Sequence, residues 1–147
     1  MGFEFGNKIW ERRQNHGRAK KYESVEELWA AAVEYFEWCT ENPLEEAAKV
    51  TFNGKGGTFP VDKMRAMTQA GLCNFIDIGT TTWAEYKKRD DFREVCEAIE
   101  QILYQQKFEG AASGLLNPSI IARDLGLADR KEFGGAIAIL DKDDHEL

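Results

Sequence analysis

The chain has 147 residues, 43% of them hydrophobic, with 19 Lys and Arg against 26 Asp and Glu. That length and apolar content suit one domain with one core, and no apolar run approaches the roughly 20 residues needed to span a bilayer. The surplus of acid excludes a general attraction to phosphate, so any nucleic-acid contact has to come from positive charge gathered locally.

Residues 1–21 gather it: Lys8, Arg12, Arg13, Arg18, Lys20 and Lys21 stand against Glu4 and Glu11, leaving 13 basic and 24 acidic residues for the rest. The segment is polar where a secretory signal is apolar, so a soluble, cytoplasmic protein is expected. It reads either as a solvated arm or as a strip lying along phosphates. Ser24 with Glu27 forms a capping box, and Val25, Leu28, Trp29, Ala32, Phe36 and Cys39 make one apolar stripe, which predicts a helix over 25–40 stopped by Asn42-Pro43.

The period then changes. Residues 50–59 surround the glycine-rich Asn53-Gly54-Lys55-Gly56-Gly57 and read as a short β-hairpin ended by Pro60. Lys55 is followed by two glycines and a strand rather than by Ser or Thr and a helix, so the turn is no phosphate loop. A helix is expected over 61–78 on Met64, Met67, Leu72, Phe75 and Ile76, closed by Gly79 at positive φ. A second capping box, Thr82 with Glu85, starts a short helix carrying Trp83 and Tyr86 and ending in Lys87, Lys88 and Arg89. Helix, turn and capped helix follow the helix-turn-helix order, which serves core packing in some proteins and DNA reading in others.

Asp90 or Asp91 is expected to cap the longest helix, 92–112, with Phe92, Val95, Cys96, Ile99, Ile102, Leu103 and Gln106 inward. Asn117-Pro118 begins a last helix over 119–125 that Gly126 ends. FGGAIAIL at 133–140 is strand-prone and precedes an acidic tail, 141–147. A lone terminal strand cannot satisfy its own ladder, so it pairs within the subunit or with copies of itself.

The chemistry is sparse. Both histidines, His16 and His145, lie near the termini, and no catalytic or phosphate-binding motif occurs, which points to a non-enzyme without cofactor. Asp77, Asp90, Asp91 and Asp124 are explained as caps and solvated surface rather than as Mg²⁺ ligands, so no metal is expected. Cys39, Cys73 and Cys96 are odd in number and set in apolar patterns, as buried reduced thiols are. Thr80 and Thr81 beside Lys87, Lys88 and Arg89 supply the hydroxyls and cations that usually contact phosphate.

Four blocks, GNKIWERRQNHGR, YESVEELWAAAVEYFEWCTENPLEEA, KMRAMTQAGLCNFIDIGTTTW and QKFEGAASGLLNPSIIARDLGL, together resemble the small terminase subunits of tailed phages, in particular the P22-like branch. The resemblance covers nearly the whole chain to about residue 132. It implies a mainly α, non-enzymatic viral DNA-packaging protein of the host cell cytoplasm that forms a homo-oligomeric ring, with nine copies as the suggested count. Such a ring recognises the packaging site on viral double-stranded DNA and regulates the ATPase and nuclease of the terminase large subunit. It also implies a helix-turn-helix-like element at 68–89 and an intersubunit β-barrel strand at 133–140.

The regions expected are therefore a basic arm (1–23), a helical core and oligomerisation domain with the hairpin 50–59 (24–132), and a strand with an acidic tail (133–147). The tail is acidic where relatives carry a basic one, which leaves Arg12, Arg13, Arg18, Lys20, Lys21, Thr80, Thr81, Lys87, Lys88 and Arg89 as the candidate DNA contacts. The alternatives are a dimeric helix-turn-helix transcription regulator and a purely structural ring that binds only the large subunit.

Overall fold

The computed structural model describes residues 22–128, which form five helices and one two-stranded antiparallel hairpin. The subunit is mainly helical, as its periodicity predicts. The arm residues Arg12, Arg13, Arg18, Lys20 and Lys21 and the strand-prone 133–140 lie outside the described residues.

Helix α1 spans Val25–Glu41. The Ser24 hydroxyl accepts from the Glu27 N–H at 3.2 Å, but the Glu27 carboxylate accepts from the N–H of Glu23 rather than from that of Ser24, so the box closes one residue early. The buried face is Leu28, Ala32, Tyr35 and Cys39. Trp29 is 39% exposed and Phe36 only half-buried, and Tyr35 takes the inner place because its hydroxyl finds partners there: it accepts from the Thr68 N–H at 3.1 Å and donates to the Thr68 carbonyl.

The hairpin is longer than the apolar pattern indicates. Strand β1, Leu44–Phe52, pairs with β2, Lys55–Lys63, from Leu44 opposite Lys63 to Phe52 opposite Lys55. Asn53 and Gly54 form the two-residue turn with φ of 51° and 76°, the positive pair that matches strand twist and that Asn-Gly adopts at least cost. Pro60 does not end β2; it pairs opposite Ala47, which a two-stranded ribbon tolerates because each strand is an edge.

Residues 61–68 are therefore not helical, contrary to the pattern of Met64 and Met67. Helix α2 is only Gln69–Ile76, started by Thr68, whose hydroxyl accepts from the Gly71 N–H at 2.9 Å. Asp77, not Gly79, adopts the left-handed conformation that closes it (φ 64°), a role a short polar side chain also fills. Gly79, at φ −83°, instead precedes α3, Thr80–Lys88, so Thr82 lies inside the first turn and caps nothing.

Helix α4, Asp90–Ala112, likewise begins without a side-chain cap, with Asp90 and Asp91 in its first turn, where their charge favours the helix dipole. Phe92, Val95, Cys96, Ile99 and Leu103 form its buried stripe. Helix α5, Pro118–Asp124, starts at Asn117, and Gly126 at φ +70° follows its end.

The core gathers α1, α2, α3 and α4 around Leu28, Leu72, Ile78, Trp83, Phe92 and Ile99, each almost fully buried. Burial of each such side chain contributes about 1.5–3 kcal/mol. Cys39, Cys73 and Cys96 are buried free thiols, as expected. Among the described residues no helix is long and apolar enough to cross a membrane, and no group of His, Cys, Asp and Glu is arranged to hold a metal ion.

Candidate nucleic-acid interface

Helices α2 and α3 are joined by residues 77–79, and the connection is held from inside. Ile78 is fully buried and its N–H donates to the Cys73 carbonyl at 3.0 Å. On α3, Trp83 and Tyr86 face the core, with the Tyr86 ring stacked on Phe92 at 4.9 Å between centroids. The Tyr86 hydroxyl accepts from the N–H of Tyr22, whose own hydroxyl donates to the Ile76 carbonyl at 2.9 Å. The point where the chain leaves the N-terminal segment is thus fastened to both helices of the pair.

Packing α3 by this face sends Thr80, Thr81 and Lys88 outward, and all three are exposed. Gly79 provides no side chain to cap the first N–H groups of α3, so the two threonine hydroxyls sit at an open, positively polarised helix start. Lys88 has no ion pair with any described residue.

Lys87 and Arg89 differ. Lys87 Nζ pairs with Glu100 Oε2 at 3.0 Å, while the other Glu100 oxygen accepts from the Trp83 indole N–H at 3.0 Å, so one carboxylate of α4 braces α3 twice. Arg89 makes a two-pronged contact with Asp91, Nε to Oδ1 at 3.2 Å and Nη2 to Oδ2 at 2.8 Å, with its guanidinium 4.5 Å from the Phe92 ring centroid. Two of the three clustered cations are thus locally neutralised. Sequence reading missed these carboxylates because Glu100 meets Lys87 only through the packing of α3 on α4. The Arg89 and Asp91 spacing, on an i,i+2 pair across a helix start, is not one that pairs on a regular helix.

The exposed pairs are solvent-screened and worth about 0–1 kcal/mol each, weak enough for a phosphate to displace the carboxylate. Chemically, the surface offers two hydroxyls, a helix start without a side-chain cap and the Lys88 ammonium, which has no ion pair among the described residues, with the Lys87 and Arg89 cations held in reserve. That set positions a phosphate backbone and reads no base edges.

A family model described as DNA-packaging protein gp3 matches residues 17–133 of the chain. The chain belongs to this family. The match takes in the whole of the helical body and the hairpin, together with Arg18, Lys20 and Lys21, and leaves Arg12 and Arg13 before its start. Within the same family context, the terminase small subunit of Salmonella phage P22 is 51% identical over 127 residues, which cover 86% of this chain and 78% of that protein. The residues of α3 lie within the matched region.

Proposed function

We propose that this gp3-family protein works as a terminase small subunit in the host cell cytoplasm: a homo-oligomeric ring, nonameric on the family's suggestion, that recognises the packaging site on viral double-stranded DNA and regulates the ATPase and nuclease of the large subunit. The observation that carries this reading is the 51% identity to the P22 terminase small subunit across most of both chains. The surface of α3 supports it chemically, since Thr80, Thr81 and Lys88 face outward from a rigid, braced helix.

A single copy of such a surface binds feebly, because an acidic protein repels DNA everywhere else. Repetition around a ring changes this: several weak sites engaged at once gain a factor on the order of 10² to 10⁴ in avidity when geometry lets them act together. The basic residues Arg12, Arg13, Arg18, Lys20 and Lys21 add further charge to each copy in this reading, and the segment 133–140 supplies the barrel strand on the ring axis.

The test is to measure mass in solution by light scattering and DNA affinity by fluorescence anisotropy across a salt series. The reading expects a closed oligomer with affinity that falls steeply as salt rises. A dimer that binds a two-fold symmetric site would favour the transcription regulator instead, and a ring without DNA affinity would leave only the structural adaptor.

A further inference from the structure

The β1–β2 hairpin has one face that gathers its large apolar side chains, and no other described element covers it. The register puts Leu44, Glu46, Ala48, Val50 and Phe52 on one face with Lys55, Phe59, Val61 and Lys63 beside them, Glu46 and Lys63 being paired at the root at 3.1 Å, while Glu45, Ala47, Lys49, Thr51, Thr58, Pro60 and Asp62 occupy the other. On the apolar face Val50 is 40%, Phe59 49% and Phe52 75% exposed. Among the described residues no helix shares more than a marginal contact with either strand. An isolated two-stranded ribbon is marginal in water, and this one also holds two aromatic rings in solvent, so its conformation points to a partner surface.

A second patch lies on α4. Tyr104 and Phe108, one turn apart, stack at 6.3 Å with rings 7° from parallel, 44% and 47% exposed. The same stripe continues through Gln101 to Glu97 and Glu94, both exposed and without an ion pair to any described residue. This surface is aromatic and acidic. The end of the hairpin, residues 49–59, is aromatic and basic: it contains Lys49 and Lys55 and no acidic residue.

The two patches cannot meet within one chain. The hairpin's roots are fixed against Gln106 of α4, and paired strands of nine residues carry its tip about 30 Å away from them. We infer that the hairpin tip of one copy docks, through Phe52, Phe59 and Lys55, on the Tyr104–Phe108 and Glu97 stripe of α4 in the next copy. The contact joins two different patches and is therefore head-to-tail, the kind that closes into a ring when the rotation between copies allows and otherwise runs on as a filament. This deepens the ring assembly proposed above and rests on it. Lys49 and Lys55 also suit phosphate, but Lys49 lies on the opposite face, and the face that carries Lys55 presents Val50, Phe52 and Phe59 with it, which a protein surface covers and a phosphate backbone does not.

The experiment uses the full chain and light scattering after gel filtration. A tip variant, Phe52→Asp with Phe59→Asp, and a stripe variant, Tyr104→Asp with Phe108→Asp, are each expected to fall to single chains, since these side chains are exposed and their loss leaves the core intact by circular dichroism. Mixing the two variants is the decisive arm, because each retains the half the other lacks: the mixture is expected to form one-to-one dimers and nothing larger. A gentler pair, Lys55→Glu and Glu97→Lys, is expected to weaken assembly singly, by about tenfold or less in dissociation constant as rim charges do, and to recover it when mixed. Either variant assembling like the wild type, or a mixture that stays monomeric, overturns the inference while the wild-type ring stands. A tip variant of unchanged mass with lost DNA affinity makes the hairpin a nucleic-acid arm and also overturns it. A wild-type chain that is itself monomeric refutes the ring reading instead.

Discussion

Arg65 donates from Nε to the Asn42 carbonyl at 2.7 Å, so the residue that leaves the hairpin is tied to the one that enters it. The guanidinium lies 4.7 Å from the Trp38 ring centroid and is buried, which lowers its pKa from the usual arginine value. Gln106 fixes the same junction to α4: its amide nitrogen donates to the Arg65 carbonyl at 2.9 Å and its oxygen accepts from the Met67 N–H at 3.0 Å. Gln106→Leu leaves both backbone groups without partners and is expected to cost about 1–3 kcal/mol. Urea denaturation checks it, and an unchanged midpoint would dismiss the clamp.

At the α3 surface the expected order of effects follows from the ion pairs. Lys88→Ala is expected to weaken DNA binding and flatten its salt dependence more than Lys87→Ala does, because Lys87 is already engaged with Glu100. The converse is sharper: Asp91→Asn and Glu100→Gln release Arg89 and Lys87 and are expected to tighten DNA binding, while the amide oxygen introduced by Glu100→Gln still accepts from the Trp83 indole. Anisotropy titrations at two salt concentrations decide it; weaker binding by the double variant would place the DNA elsewhere.

The ammonium of Lys107, mostly buried, meets Asp124 at 2.6 Å and pins α5 to α4. Asp124→Ala leaves that charge without its partner and is expected to destabilise the chain by about 1–3 kcal/mol, whereas the second variant Lys107→Met with Asp124→Leu recovers much of the loss. Thermal melts of the single and double variants test this, and equal melting points for both would contradict it.

Burial raises the Cys96 thiol to about 11 and, by the same cause, raises Cys39, Tyr35 and Tyr22. An unfolded chain ionises these groups at lower pH than the folded one, so the unfolded state binds fewer protons above about pH 9. Their contribution to stability is complete below that pH and is lost as pH rises toward 11. The melting temperature is expected to decline through that interval, with thiol reagents reaching Cys96 only as unfolding begins; a flat profile to pH 11 would refute it.

The elements whose inner face repeats at helical spacing were legible. Phe92, Val95, Cys96, Ile99 and Leu103 declare α4 because nothing competes with their packing. Tyr35 was hidden because its inward place depends on Thr68, 33 residues away. The strand through Val61 and the non-helical run to Thr68 were hidden for a similar reason: Met64 and Met67 fit a helical stripe locally, and it is the pairing of residues 55–63 with β1 and the hydrogen bonds of 65–68 to Asn42, Gln106 and Tyr35 that hold the segment out of a helix. At the candidate interface the cations could be read but their neutralisation could not, since Glu100 reaches Lys87 only after α3 folds onto α4.

The hairpin's register has one more consequence, for divergence within the family. Every pair from Leu44–Lys63 to Phe52–Lys55 is local, and the ribbon leaves the helical body at a single clamped junction. Inserting or deleting two residues in each strand keeps every side chain on its own face and moves the tip by about 7 Å, with no core residue disturbed. The core thus sets no limit on the length of this arm; the limit comes from the neighbouring copy, whose receiving surface on α4 has to shift in step with the tip.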